Sequence, residues 1–279
     1  MEALIRNRLL TLGVMIICLF TLTTCEKEPT KPDDVAPELP PVQSMQVDMS
    51  FFNSSQNFTL NKATVSKLNF LSAATRVTII NLKVFAASII PTTVLVAALS
   101  QPVELKDDGK WHWIFTVADK DSDTFSVDLA GWIDTPQAET VWEIYISSSN
   151  HTPELDHFLW YYGRSKISNK EGWWIFNDDK SPDSLVEVTK IDWEIPDEND
   201  KDLVFTNVKE TSNEYGDYLK YGVELTDRFL LFFDASASQT NTIYWNAQTK
   251  AGYIEWFDYN NGVKSYWDEN LNDSTGPPA

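Results

Sequence analysis

Cysteine is confined to Cys18 and Cys25, and none follows in a chain of 279 residues. A disulfide framework, a thiolate zinc centre and a cysteine nucleophile are therefore excluded from the body, which must stand on packing. Glycine is scarce, ten in all, and no Gly-x-Ser-x-Gly elbow, phosphate-cradling loop or dinucleotide fingerprint occurs. Basic residues are outnumbered, 22 Lys and Arg against 41 Asp and Glu, for a formal charge of -19. Such a polyanion is repelled by phosphate backbones, so no nucleic-acid partner is expected. Acid itself is absent from one long stretch. Between Asp48 and Glu104 the only charges are Lys62, Lys67, Arg76 and Lys83.

Inside that acid-free stretch Phe70, Ala73, Val77, Ile80, Val84 and Ala87 recur at steps of three and four. This spacing draws one apolar stripe along a helix. Pro91 interrupts it, and a proline in a helix interior removes a hydrogen bond and clashes with the preceding turn. The expectation is a helical block over about 63–100, with one helix over about 63–89 and a second over about 92–99. Residues 84–103 carry no charge, yet Ser88, Pro91, Thr92, Thr93 and Ser100 dilute the run, which reads as a buried hairpin rather than a membrane span. Upstream, Met45, Val47, Met49 and Phe51 alternate with polar neighbours and predict a first strand.

From residue 110 onward the pattern changes to short apolar and aromatic runs. Twelve of them, from WHWIFTVA at 111–118 to VKSYWDE at 263–269, are separated by turn-type residues that include Gly131, Gly163 and Gly216. No helical pattern intervenes, so the strands form an antiparallel meander. Asn261-Gly262 suits a two-residue type I′ turn, which sets Tyr259 against Lys264, Phe257 against Tyr266 and Trp256 against Trp267. The fold class expected is α+β: a single antiparallel twisted sheet or partial barrel of about 10–12 strands, with the N-terminal helical block packed on it. The domains expected are a leader over 1–24, a proline-rich tether over 25–44, a globular body over 45–268 with its meander over about 110–268, and a flexible tail over 269–279.

The N-terminus carries its own signals. Arg6 and Arg8 precede the apolar run 9–22, which is 14 residues long. That length fits a secretory signal better than a membrane span. Leu22-Thr23-Thr24-Cys25 follows and resembles the lipobox of bacterial lipoproteins. The resemblance implies cleavage before Cys25, a lipid on its thiol, and attachment to a membrane of a Gram-negative envelope. Glu26, Lys27 and Glu28 after the Cys resemble surface-export signals, which points to the outer membrane and its outer face. Residues 26–44 hold five prolines in 19 residues and would make a stiff spacer. At ~3.1 Å per residue it would reach roughly 50–60 Å.

All eleven tryptophans lie after residue 110, several beside an acid, as in Trp142-Glu143 and Asp192-Trp193-Glu194. Neighbours in a strand face opposite ways, so the ordinary reading is Trp inside and acid outside. The sharper reading is a glycan cleft that combines Trp platforms with carboxylates from different strands. Trp256, Phe257, Tyr266 and Trp267 are the candidate ligand-binding aromatics. Asp119, Asp121 and Asp123 alternate as at the start of a calcium loop. Thr124 and Ala130 replace the turn Gly and the bidentate Glu, so no metal is expected there. His112 sits in a strand, and the spacing of His151 and His157 matches no established zinc arrangement.

The function expected is non-catalytic binding of a ligand or partner by an envelope lipoprotein, with no cofactor. Lipid, peptide and glycan are the ligand classes considered. A sheet curled round an apolar helix also resembles, in architecture alone, the half-barrel lipid and lipoprotein carriers of the Gram-negative envelope. The alternatives are a glycan-acting enzyme and a purely structural surface protein.

Overall fold

The computed structural model describes residues 35–53, 66–118 and 124–277, with the backbone alone over 82–90. The expected leader, Cys25 and the acids Asp119, Asp121 and Asp123 lie outside the described residues.

Among the described residues the chain forms one open antiparallel sheet of 14 strands in sequential order. They are β1 (Glu104–Leu105), β2 (Trp111–Ala118), β3 (Thr124–Asp134), β4 (Glu139–Ser148), β5 (Leu155–Lys166), β6 (Glu171–Asn177) and β7 (Glu187–Asp197). The second half comprises β8 (Asp200–Asn207), β9 (Tyr218–Glu224), β10 (Asp227–Asp234), β11 (Gln239–Asn246), β12 (Gly252–Glu255), β13 (Ser265–Trp267) and β14 (Asp273–Ser274). The twelve apolar runs of the sequence fall on β2 to β13. The two additional strands, β1 and β14, are two residues each and sit at the margins of the sheet, too short to leave a pattern.

Alternation sorts the residues between two faces. On β4, Trp142, Ile144 and Ile146 are buried while Glu143 and Tyr145 reach outward. The inner face collects Trp113, Trp142, Trp174, Trp193, Trp245 and Trp267. Gly131 and Gly163 lie inside strands rather than at turns, a correction with a steric reason. A Cβ on Gly131 would stand 2.5 Å from Trp142 Cζ3, and one on Gly163 would stand 2.6 Å from Trp174 Cε3. The missing side chain is the space that a cross-strand indole fills, an arrangement that also pins the register.

The inner face is filled by the N-terminal third. Helix α1 (Ser50–Asn53) follows a 3-10 turn at Val42–Met45 where a strand was expected. Met45, Met49 and Phe52 are all buried, although the chain between Met45 and Ser50 is not helical. The segment lies within the core, with Phe52 against Trp245 and Phe70.

Helix α2 (Leu68–Ala98) runs unbroken through Pro91, in place of the two helices expected. Phe70, Ala73 and Val77 before the proline, and Val94, Leu95 and Ala98 after it, all enter the same core. Burial on both sides outweighs the ~3 kcal/mol that an interior proline costs. Tyr161 Oη donates to the Pro91 carbonyl at 3.3 Å. The helix touches β2 near one margin of the sheet and β12, β13 and β14 at the other. The sheet therefore bends round it.

Both ends assigned to loose segments are docked. Pro37, Pro40 and Ser44 are buried, and Asn169 Nδ2 donates to the Leu39 carbonyl at 2.6 Å. The packed body thus begins at Ala36. At the other end β14 pairs with β13, and Asp273 accepts from the first amides of α2, Leu68 N at 3.2 Å and Asn69 N at 2.9 Å. Lys67, the cap position of that helix, supplies no capping side chain of its own. An acid-free helix start takes its acceptor from the far end of the chain.

Candidate functional site

The aromatics selected from the sequence do not converge. The turn at Asn260–Gly262 closes a longer connection, and the register beyond it pairs Tyr253 with Tyr266 and Gly252 with Trp267. Trp267 is fully buried, its Nε1 donating to the Lys250 carbonyl at 2.8 Å. Trp256 is nearly buried, stacked on Phe232 at 6.1 Å. The Arg76 guanidinium lies over its ring at 5.5 Å and pairs with Asp258. Phe257 is exposed, and Tyr266 meets Tyr253 edge-on at 5.8 Å on the outer face. The tight turn sits one residue earlier than expected, with positive φ at Asn260 and Asn261 and Gly262 N donating to the Tyr259 carbonyl at 3.0 Å.

The histidines are likewise dispersed. His112 is buried with Nδ1 at 2.6 Å from Asp128 and Nε2 at 3.1 Å from Asp108. His151 meets Asp179 at 3.3 Å, whereas His157 stacks on Tyr145 at 4.3 Å. Among the described residues no cluster of three or more His, Cys, Asp or Glu could hold a metal.

A groove does exist, on the outer face over β5 to β8. Its volume is about 400 Å³. Cross-strand register builds it. Arg164 on β5 faces Trp173 on β6, which faces Asp192 on β7, which faces Val204 on β8. One step along, Glu171, Glu194 and Asp202 stand in a second row. Three like charges directly across a sheet are unfavourable, by roughly 0.2–1 kcal/mol per pair.

The basic wall of the groove is held in place by ion pairs. Arg164 Nη1 reaches Asp134 at 2.8 Å and Glu139 at 3.3 Å, and Lys166 Nζ reaches Glu139 at 2.9 Å. Lys166, and secondarily Arg164, holds the Glu139 carboxyl below the usual carboxylate range against the opposing effect of burial. Asp134 correspondingly raises the Arg164 guanidinium, and Glu139 raises the Lys166 ammonium. On the acidic side Lys190 holds Asp192 at 2.6 Å and Lys220 holds Asp202 at 2.8 Å. Trp173 is half-buried among these charges, with Tyr162 packed perpendicular to it at 5.8 Å.

The pairing of Trp with neighbouring acid identified two of these residues. Trp193 turns inward, and Asp192 and Glu194 turn out into the groove. Arg164, Lys166 and Trp173 carried no signal of their own, because their meeting depends on register. Comparison of the chain with protein-family models, with curated proteins and with solved structures gave no match.

Proposed function

We propose that this protein is a lipid-anchored, non-catalytic binding protein of the Gram-negative outer membrane that takes a ligand in the groove around Trp173. The reading rests on one observation: a groove on the outer face is lined by Trp173 and by charged side chains that are held in ion pairs. An aromatic surface with a few placed polar groups is common in small-molecule sites. In this proposal the sheet is a partial barrel wrapped on α2. Among the described residues Phe52, Phe70, Leu95, Trp174 and Trp245 pack between helix and sheet, which argues against an acyl-chain site there. A glycan-cleaving reading would need a carboxyl that stays protonated near neutral pH. Glu139 is pushed the other way.

The tether is shorter than the spacer read from the sequence. With Ala36 already on the body, about ten residues separate it from Cys25, reaching about 30 Å if extended. Cys25→Ala tests the anchor. The full chain should lose its lipid mass and leave the membrane fraction. Membrane retention with an uncleaved leader and no lipid in either chain would overturn the lipobox reading.

A further inference from the structure

We infer that the ligand of the Trp173 groove is a neutral carbohydrate, an inference that rests on the groove being the binding site. Three features of the walls select this class. First, the cations are already engaged. Arg164 and Lys166 are bound by Asp134 and Glu139, and Lys220 by Asp202. A phosphate or carboxylate would have to compete with these carboxylates and approach Glu171, Asp192 and Glu194 as well. Anionic ligands, including nucleotides and phospholipid headgroups, are therefore disfavoured.

Second, the apolar part of the lining comes from Trp173, with Trp193 and Val204 beside it, and is short. That is too little for an acyl chain, whose binding scales with buried area. It does suit the C–H face of one pyranose ring against an indole. Third, the walls present acceptors and donors side by side. The carboxylates accept and the guanidinium and ammonium groups donate, each held in position by its ion-pair partner. A vicinal diol donates one hydrogen bond while accepting another, so it matches such a wall, and charge-assisted hydrogen bonds are the stronger kind. Pre-positioned groups also lower the ordering cost of binding.

The groove is open and crosses four strands at spacings of about 4.8 Å. Both a short soluble sugar and a stretch of a longer surface polysaccharide have this chemistry. Chain-length dependence separates them. Affinity that levels off at a disaccharide marks the soluble ligand, and affinity that climbs with length marks the polymer.

The test uses the full chain in detergent on an array of neutral, anionic and amine-bearing glycans, with Trp173→Ala, Trp173→Phe and Glu194→Gln beside it. Neutral glycans should bind. Trp173→Ala should weaken them about ten-fold and Trp173→Phe by less, since a smaller ring keeps part of the stacking. Glu194→Gln should weaken binding while leaving the fold intact. If no neutral glycan binds, if only charged glycans bind, or if Trp173→Ala binds as well as wild type, the carbohydrate inference fails. Native mass spectrometry of the purified chain separates that failure from failure of the site. A non-carbohydrate ligand present on wild type and lost in Trp173→Ala would keep the groove and discard the sugar. An array-positive glycan whose binding ignores both Trp173 and Glu194 would discard the groove itself.

Discussion

Removing the carboxylate of Asp273 isolates what the end of the chain does for the helix at its start. Asp273 Oδ1 and Oδ2 accept from Asn69 N and Leu68 N, two of the amides that an α-helix leaves without an internal partner. Loss of a capping acceptor costs about 1 kcal/mol, and loss of negative charge at a helix N-terminus adds about 0.3–1 kcal/mol. Asp273→Ala should therefore cost about 1–2 kcal/mol. For a body of this size each kcal/mol moves the melting temperature by about 2–4 °C, so a fall of about 2–8 °C is expected. Asp273→Asn keeps one acceptor oxygen but loses the other together with the charge, so its fall should be smaller than that of Ala but well above zero. Truncation after Asp268 removes β14 too, along with the Asp273 N to Ser66 carbonyl bond, and should exceed both. The assay is thermal unfolding by far-ultraviolet circular dichroism, with urea midpoints as a check. An Asp273→Ala chain that melts within about 1 °C of wild type would show that α2 does not depend on the C-terminal strand. An Asp273→Asn chain that falls as far as Ala would show that a single neutral acceptor does not hold the helix start.

Two further substitutions probe the core. Gly163→Ala would drive a methyl into the Trp173 carbonyl and the Trp174 ring and should cost about 2–3 kcal/mol, whereas Gly276→Ala, with open space around it, should be near neutral; equal urea midpoints for the two would refute the indole-over-glycine packing. Lys201 is half-buried on the inner face, its Nζ donating to the Gln46 carbonyl at 2.9 Å and lying 5.2 Å from the centre of the Tyr221 ring. Burial, helped by Arg228 and opposed by Asp48, lowers its pKa to about 8. Below that pH the ammonium is charged in both states and the folded state bears the penalty, on the order of 3 kcal/mol. Between about 8 and the unfolded value of 10.5 the unfolded chain holds more protons, so stability should rise with pH. Lys201→Met should stabilise the protein at pH 7 by up to that amount, and the difference from wild type should vanish by about pH 10.5; a difference that does not change with pH would refute the account.

The meander was legible because half-buried strands keep their alternation. Trp142, Ile144 and Ile146 point in and Glu143 and Tyr145 point out, as the sequence order requires. The same rule correctly split Asp192 and Glu194 from Trp193. What escaped was set by tertiary packing. Pro91 marks a helix end by local rules, but Val94, Leu95 and Ala98 find burial only if the helix continues. Met45 to Phe51 alternates like a strand, yet the core takes Met45, Met49 and Phe52 instead. Gly131 and Gly163 resemble turn residues until the opposite indole is known. The proline-rich stretch and the C-terminal tail look solvated because their partners, Asn169 and the amides of α2, are more than a hundred residues away. The groove was least legible of all. Arg164, Trp173 and Asp192 come from three strands, and only the register makes them neighbours.

The packing of the inner face bears on what kind of site this chain can have. Among the described residues six indoles, α1 and α2 meet on the inner face, and the groove lies on the outer one. An outer sheet face must also remain compatible with water, which favours charged residues paired across strands over an apolar pit. Those pairs then have a second consequence. Arg164, Lys166, Asp192 and Asp202 are immobilised before any ligand arrives, so binding spends little on ordering them. An open groove still exposes one side of its ligand, which keeps single-site affinity modest. With the lipid anchor proposed above, that would be sufficient. Neighbouring copies on a surface raise the effective concentration for a ligand that repeats, so a polymer would be held by many weak sites more tightly than by any one of them.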